Sequence, residues 1–308
     1  MSNNIVTTEN LTKHFGKTIA LQDVSLEIPE GSVYLLIGPN GSGKSTLLKI
    51  ITGVVKPSKG NIQVFGLNPW KQRTKLFQKT GAMYEDHPMP GLSTGQDFLV
   101  YMAKLQRLKD PKQAALRAAQ LFEAEAFWNR PIREYSSGMK RKIALAHAFM
   151  GDPELLILDE PTVTLDQNAR TKLRDLIQQG LKNKKTFIIA AHVLAESEEL
   201  ATHTAFFADG KAQVQGRIED LANQYGASRI TIQTKDPLQT AKTLTEAGYT
   251  KITITEQDLE LAVPPGETEK IAKTLQESKT EAKITRTWID LWAIYKQALK
   301  KSRIATLG

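Results

Sequence analysis

Cysteine is absent from this chain of 308 residues. The protein can therefore form no disulfide bond, and it has no thiolate to bind zinc or to act as a nucleophile. Long apolar runs are missing as well, since none approaches the about 18 residues that a transmembrane helix needs. The first residues also lack the basic and apolar blocks of a signal peptide. We therefore expect any role at a membrane to depend on a partner protein.

The composition is that of a folded, globular protein. Apolar residues make up 41% of the chain and charged residues 24%, which excludes a disordered or collagen-like protein. A length of 308 residues favours two domains. The net charge of 41 − 33 = +8 suits a phosphate-rich ligand or an anionic surface, but a solvated basic face explains it equally well.

Alternating strand and helix patterns extend over residues 1–219. Three short apolar runs, Val33–Ile37, Leu155–Leu158 and Phe187–Ala190, are typical of buried parallel strands. Helical patterns occupy Thr46–Gly53, Gln96–Arg107, Lys112–Ala126, Ser137–Met150 and Ala169–Leu181. We predict an α/β domain with a doubly wound parallel sheet.

The pattern changes after Gly216, and residues 220–308 indicate a second domain. Short strand and helix patterns follow in the order β-α-β-β-α-β, which predicts a small ferredoxin-like α+β domain. A last helix is predicted from Trp288 to Lys301.

A glycine-rich loop follows the first apolar run and opens a helix. Its spacing, G-x-x-x-x-G-K-[ST], is that of a P-loop, whose backbone N–H groups bind phosphate at a helix N-terminus. Lys44 is expected to reach the β- and γ-phosphates of a nucleotide, and the Ser45 hydroxyl to bind Mg²⁺. The predicted nucleotide-binding residues of this loop are Gly38, Pro39, Asn40, Gly41, Ser42, Gly43, Lys44, Ser45 and Thr46.

Two carboxylates, Asp159 and Glu160, close the second apolar run. Beside a phosphate loop, this pattern favours a site in which Asp159 reaches Mg²⁺ and Glu160 orients or deprotonates the attacking water. Alone, an acidic pair at this position is more often a turn or a helix cap.

Between these two motifs, Tyr135–Lys142 runs into a helix, and its segment Ser136-Ser137-Gly138-Met139-Lys140 resembles the signature motif of the ATP-binding cassette family. Serine and glycine at a helix N-terminus offer hydroxyl and N–H donors to a phosphate. Without the neighbouring motifs, a plain N-cap is the simpler interpretation. The resemblance covers residues 5 to about 220, in the export-type branch of the family.

The resemblance extends to further residues and implies their roles. Phe15 is similar to the aromatic residue that stacks on adenine, and Pro161–Asp166 to the loop that crosses the interface between two cassettes, where Asp166 is expected to contact nucleotide. His192 is similar to the histidine that senses the γ-phosphate. By itself, the aromatic is more often a core residue and the histidine a structural one.

Three positions depart from the commonest form of the family. Glu85 stands where a metal-contacting glutamine is usual, so it is expected to contact Mg²⁺, although it could equally repel the phosphates or cap its loop. Ser137 replaces a glycine, and Thr164 replaces a small residue in the interface loop.

The resemblance implies an ATP-hydrolysing transporter subunit with ATP and Mg²⁺ as cofactors. Since the chain carries one phosphate loop and one signature, a homodimer or a pair with a sister subunit is expected. The membrane-spanning permease is expected in a separate chain, contacted through Tyr84–Tyr101, with the ATPase at the cytoplasmic face of the membrane.

Two alternatives remain open, a non-transport ATPase of DNA repair or translation and a nucleotide-gated regulatory subunit. The basic stretches Lys71–Lys79 and Lys140–Lys142 lack interleaved aromatic residues. We interpret them as solvated faces or neighbours of lipid headgroups, so no nucleic-acid partner is expected.

Overall fold

The computed structural model describes residues 3–191, 200–225, 228–250, 252–254, 258–263, 267–278 and 280–297. The chain divides into two compact units, Met1–Gln215 and Gly216–Gly308. The first unit ends a few residues before the domain boundary predicted from the sequence.

The strands up to Arg217 form two sheets, and the last of these strands continues two residues past the end of the first unit. They are β1 (Asn4–Phe15), β2 (Thr18–Pro29), β3 (Val33–Ile37), β4 (Lys59–Val64), β5 (Thr80–Met83), β6 (Leu155–Asp159), β7 (Thr186–Ala191), β8 (His203–Ala208) and β9 (Lys211–Arg217). One sheet has six strands in the order β5-β6-β7-β3-β8-β9, and the other has three in the order β2-β1-β4.

The larger sheet confirms the predicted parallel core. β3 pairs in parallel with β7 and β8, and β6 pairs in parallel with β5 and β7. All residues of β3 and β6 are buried, as expected of apolar strands that are covered on both faces. Because parallel strands end at the same edge, the loops after β3, β5 and β6 meet there.

The smaller sheet is antiparallel, and the sequence patterns did not predict it. β1 pairs with β2 and β4, and its register shifts repeatedly, for example between Thr8 and Leu11. These irregularities interrupt the alternation of buried and exposed side chains by which a half-buried strand is recognised.

The described α-helices of the first unit are α1 (Lys44–Ile51), α2 (Arg73–Phe77), α3 (Gly95–Leu105), α4 (Pro111–Gln120), α5 (Ser137–Phe149) and α6 (Gln167–Lys182). Four of them start at a residue whose side chain accepts a hydrogen bond from the N–H three positions on, an arrangement that contributes about 1 kcal/mol each. These N-caps are Thr94, Asp110, Ser136 and Asp166.

One predicted helix is too long. The Lys112–Ala126 pattern forms a helix only to Gln120, because Glu123 adopts a left-handed backbone with φ 56°, and Ala124–Ala126 is a separate 3₁₀ turn.

The second unit contains α7 (Ile218–Tyr225), β10 (Ser228–Thr234), α8 (Pro237–Glu246), β11 (Ile252–Ile254), β12 (Asp258–Val263), α9 (Thr268–Glu277), β13 (Ala282–Ile289) and a helix over 291–297. Its antiparallel sheet has the order β11-β12-β10-β13. The sheet and helices enclose a core of Ile230, Ile232, Leu244, Leu259, Leu261, Val263, Ile271 and Leu275.

The predicted start of the last helix at Trp288 is wrong. β13 continues to Ile289, and the Asp290 carboxylate then accepts a hydrogen bond of 2.8 Å from the N–H of Ala293, which starts the helix. The predicted end at Lys301 lies outside the described residues. Among the described residues, no helix combines the length and the hydropathy required of a membrane span.

Candidate nucleotide-binding site

The loop between β3 and α1 is tightly packed at two glycines. A Cβ atom on Gly38 would lie 2.2 Å from the carbonyl oxygen of Phe207, and one on Gly43 would lie 2.5 Å from that of Ala20. Gly43 also has a φ of 104°, which other residues rarely adopt. Glycine is therefore required for this loop to turn directly into the N-terminus of α1.

Lys44 is the first residue of α1, and its side chain folds back over the loop. Its Nζ donates hydrogen bonds to the carbonyl oxygens of Gly38 (2.7 Å) and Pro39 (3.1 Å). Burial lowers the pKa of Lys44, while the carboxylates of Glu160, Asp159 and Glu85 act in the opposite direction. The ammonium group therefore lies at the loop, where it can pair with a phosphate.

Asp159 ends β6 opposite the loop and is 1% exposed. Burial raises the pKa of Asp159, while a hydrogen bond with the Ser45 side chain lowers it. Its Oδ2 atom has no hydrogen-bond partner among the described residues. A buried carboxylate with one unpartnered oxygen and a neighbouring hydroxyl is a donor set that fits Mg²⁺.

Glu160 follows with a left-handed φ of 50°, and its N–H donates to the carbonyl oxygen of Ala190 at 2.9 Å. This hydrogen bond anchors the residue to the end of β7. A left-handed backbone of a non-glycine residue is strained, and this strain lies directly at the predicted catalytic carboxylate.

These residues line a cleft of about 170 Å³. The structure therefore brings together most of the predicted phosphate loop, both acids of the second motif, and Glu85 from the loop after β5. The lining residues are Ala20, Asn40, Gly41, Ser42, Gly43, Lys44, Ser45, Thr46, Glu85, Asp159 and Glu160.

No group of three or more His, Cys, Asp or Glu with metal-ligand geometry occurs in the described parts of the chain. This is compatible with Mg²⁺, which retains water and phosphate ligands and needs only one or two from the protein.

The signature residues Ser136, Ser137 and Gly138 lie outside the cleft that contains Lys44. Ser136 accepts a hydrogen bond from the N–H of Met139 at 3.2 Å and thereby caps α5. Ser137 lines a second cleft, of about 470 Å³, and Gly138 packs against the carbonyl oxygen of Thr164. None of these three residues lines the cleft of Lys44 in the same chain.

Two other predicted residues do not line the first cleft. Phe15 is 51% exposed, with Lys13 Nζ 4.7 Å from its ring centre. Asp166 caps α6 through the N–H of Ala169 and forms an ion pair of 2.9 Å with Lys142, which lowers its pKa. His192 lies outside the described residues.

The sequence patterns did not predict a cluster of histidine and phenylalanine side chains beside the loop that carries Glu85. His87 Nε2 lies 3.1 Å from His147 Nδ1, and both rings pack against Phe98. Lone histidines carry little signal in a sequence, because their meaning depends on what the fold places beside them.

The interpretation of Lys140–Lys142 as a solvated face is wrong for Arg141, whose side chain is only 8% exposed. Spacing could have shown this, because Arg141 shares a helix face with the buried residues Ala144, Leu145 and Ala148.

The fold and this cleft define a class of protein. P-loop nucleoside triphosphatases combine three parts at one edge of a sheet. These are a buried parallel strand, a glycine loop that leads into a helix N-terminus, and a second strand that ends in acidic residues.

Comparisons identify the family. Residues 21–163 match the ABC transporter family. The chain is 36% identical over 204 residues to the lantibiotic transport ATP-binding protein SrtF of Streptococcus pyogenes, covering 66% of this chain and 86% of that protein. It is 30% identical over 273 residues to the linearmycin resistance ATP-binding protein LnrL of Bacillus subtilis (strain 168), covering 87% and 88%. The chain therefore belongs to the ABC transporter family, as one of its ATP-hydrolysing subunits.

A solved structure supports the fold. A dimeric ATP-binding cassette in a post-hydrolysis state, bound to ADP and phosphate, aligns with a TM-score of 0.64. It is 24% identical, and the match covers 69% of this chain and 98% of that chain.

Proposed function

We propose that ATP is enclosed between two cassettes, by Lys44 and its loop from one and Ser136–Gly138 from the other. The observation that carries this proposal is that Ser137 and Lys44 line different clefts of one chain. Both can contact the same nucleotide only if a second cassette supplies the signature. Two copies of this chain, or one copy with a sister subunit, meet that requirement.

Within this dimer, the glycine loop binds the phosphates through its N–H groups, and Lys44 exchanges its bonds to Gly38 and Pro39 for phosphate oxygens. Ser45, Asp159 and Glu85 are the residues that would hold Mg²⁺. When bound, this ion neutralises charge on the β- and γ-phosphates. Phe15, already exposed, is available to stack on adenine.

Glu160 is the proposed catalytic base. It positions a water for in-line attack on the γ-phosphorus and accepts a proton from it as the bond to the leaving ADP oxygen breaks. Asp166, from the interface loop, and His192, which follows β7 in the sequence, are proposed to complete the site. Loss of the γ-phosphate removes the bridge between the two cassettes, so that they separate.

We further propose that this motion drives export through a membrane-spanning permease in a separate chain, with the ATPase at the cytoplasmic face. The docking region is Tyr84–Tyr101, in which Leu92 is 81% and Tyr101 60% exposed. Because SrtF and LnrL are named for lantibiotic transport and linearmycin resistance, we propose an antibiotic as the exported substrate.

The test is Mg²⁺-dependent ATP hydrolysis and molecular size, compared between the natural chain and Glu160→Gln. We expect the variant to lose at least about 100-fold in kcat and to form a dimer with ATP. Glu154→Gln is the matched control, because Glu154 is exposed and paired with Lys79 at the opposite end of β6.

If the natural chain binds ATP but neither hydrolyses it nor dimerises, a self-sufficient homodimer is wrong. A sister cassette or a regulatory role for this chain would then take its place.

A further inference from the structure

Arg141 is a buried cation next to the nucleotide cleft. It lies in the second turn of α5, the helix that begins with the signature, and its Nη1 atom has no hydrogen-bond partner among the described residues. A buried, incompletely bonded guanidinium is costly unless nearby negative charge compensates it. Its surroundings should therefore contain carboxylates.

They do. Burial lowers the pKa of Arg141, and four carboxylates act against this, of which Glu85 has the largest effect. Glu85 and Asp86 line the 470 Å³ cleft together with Arg141. No ion pair within 4 Å joins Arg141 to any described carboxylate, so the attraction acts across the cleft rather than through a fixed contact.

Glu85 is the one described residue that lines both clefts. On one side it faces Arg141, and on the other it faces Lys44, Asp159 and Glu160. The phosphate cleft thus has three carboxylates and one ammonium group before any nucleotide binds. Arg141 supplies a positive charge from behind Glu85, outside the space that the phosphates need.

The backbone on either side of Glu85 is fixed. The Tyr84 hydroxyl lies 2.6 Å from Thr52 Oγ1, at the end of α1, and the His87 ring is bonded to His147 on α5. Glu85 itself is exposed. Among the described residues, no hydrogen bond or ion pair holds this side chain, so the charge of Arg141 across the cleft can act on its position.

We propose that Arg141 is a positioning residue for Glu85, whose carboxylate it holds between the two clefts. The inference rests on the proposed function, since it assigns Glu85 a place beside the bound magnesium nucleotide. It goes further by making a second residue, on the signature helix, necessary for a glutamate to work at this position. A neutral glutamine at position 85 would need no compensating charge from Arg141.

The test is a double-mutant cycle with Arg141→Met and Glu85→Gln in the full chain. We expect Arg141→Met to lower kcat for ATP about tenfold with little change in KM, and to lower it less than about twofold when Glu85→Gln is also present. Arg141→Lys keeps the charge and should recover most of the activity. Arg117→Met removes an exposed arginine on α4 and is the matched control.

A second measurement does not depend on hydrolysis. The Mg²⁺ concentration for half-maximal binding of a non-hydrolysable ATP analogue should fall at least about threefold in Arg141→Met, because the uncompensated Glu85 attracts the ion more strongly. The shift should be much smaller when Glu85→Gln is present. If the natural chain lacks ATPase activity, the proposed function fails, and this titration still decides the role of Arg141.

Equal effects of Arg141→Met with and without Glu85→Gln would overturn the proposal, because they would show a role in folding or packing alone. Failure of Arg141→Lys to recover activity would also contradict it. Thermal unfolding checks that each variant is folded. If Arg141→Met is not, Arg141→Gln replaces it in the cycle, since an amide keeps hydrogen-bonding capacity without the charge.

Discussion

The Nε2 atom of His87 lies 3.1 Å from the Nδ1 atom of His147 and joins the loop that carries Glu85 to the helix that begins with the signature. A hydrogen bond between two imidazoles requires at least one unprotonated ring nitrogen. Burial lowers the pKa of His147 to about 3 and that of His87 to about 4, and Arg141 adds to the shift at His87. Both rings are therefore neutral near pH 7, and the bond is intact.

This pair predicts a loss of stability in mild acid. The unfolded chain takes up protons on these histidines near pH 6.5, whereas the folded chain resists until about pH 4 and about pH 3. The free energy of unfolding should therefore fall by about 3 kcal/mol for each of the two histidines, about 6 kcal/mol for the pair, as the pH drops from 7 to 4. Urea unfolding at a series of pH values measures it.

The comparison is made with His147→Phe, which should unfold with a shallower pH dependence over the same range, and with His14→Gln, which removes an exposed histidine. If the free energy of unfolding of His147→Phe depends on pH as steeply as that of the natural chain, other groups cause the acid sensitivity.

Asp159→Asn should stabilise the chain without nucleotide and abolish its response to magnesium. The substitution removes a buried charge with an unpartnered oxygen, so we expect a gain of about 1 kcal/mol in the absence of metal. Thermal midpoints are measured with and without Mg²⁺ and ATP. A variant that magnesium nucleotide stabilises as strongly as the natural chain would contradict the assignment of Asp159.

Gly38→Ala should destabilise the first unit and weaken nucleotide binding. The added Cβ would lie 2.2 Å from the Phe207 carbonyl oxygen, so the backbone must shift, at a cost of about 3 kcal/mol. Gly66→Ala is the control, because a Cβ there meets nothing within 4 Å and only the φ of 70° opposes it. Equilibrium unfolding and analogue binding distinguish the two, and equal losses would refute the steric argument.

Leu92→Asp should reduce co-purification with a membrane permease while leaving the ATPase activity of the isolated chain unchanged. The side chain is exposed, so stability should change by less than about 0.5 kcal/mol. Leu238→Asp alters a leucine of similar exposure (74%) in the second unit and should retain the permease. Retention of the permease by both variants would exclude Leu92 from the docking surface.

The parts of this protein that the sequence reveals are those in which neighbours in the chain act together. Val33–Ile37, the glycine loop and Lys44 form one continuous strand, turn and helix start, so their spacing alone predicts a phosphate site. The runs that end at Asp159 and Ala191 are recognisable because a parallel strand covered on both faces must be apolar throughout.

Features that depend on distant segments were not predictable in the same way. The bulged pairing of β1 with β2 and β4 disrupts the alternation that identifies strands. The carboxylates that face Arg141 come from the loop after β5 and the end of β6, more than 15 residues away in the sequence. Likewise, 60 positions separate His87 from His147, and only the packing of the loop after β5 against α5 brings them together.

Local sequence was enough to predict the phosphate chemistry of this protein, because phosphate binding needs a short, contiguous loop of fixed spacing. The surroundings of that loop became visible only in the folded chain. Folding placed Glu85 between two clefts, buried Arg141 behind it, and kept Ser137 out of the cleft of Lys44. Burial, electrostatic fields and distances between remote segments arise only when the chain is folded, so no local pattern encodes them.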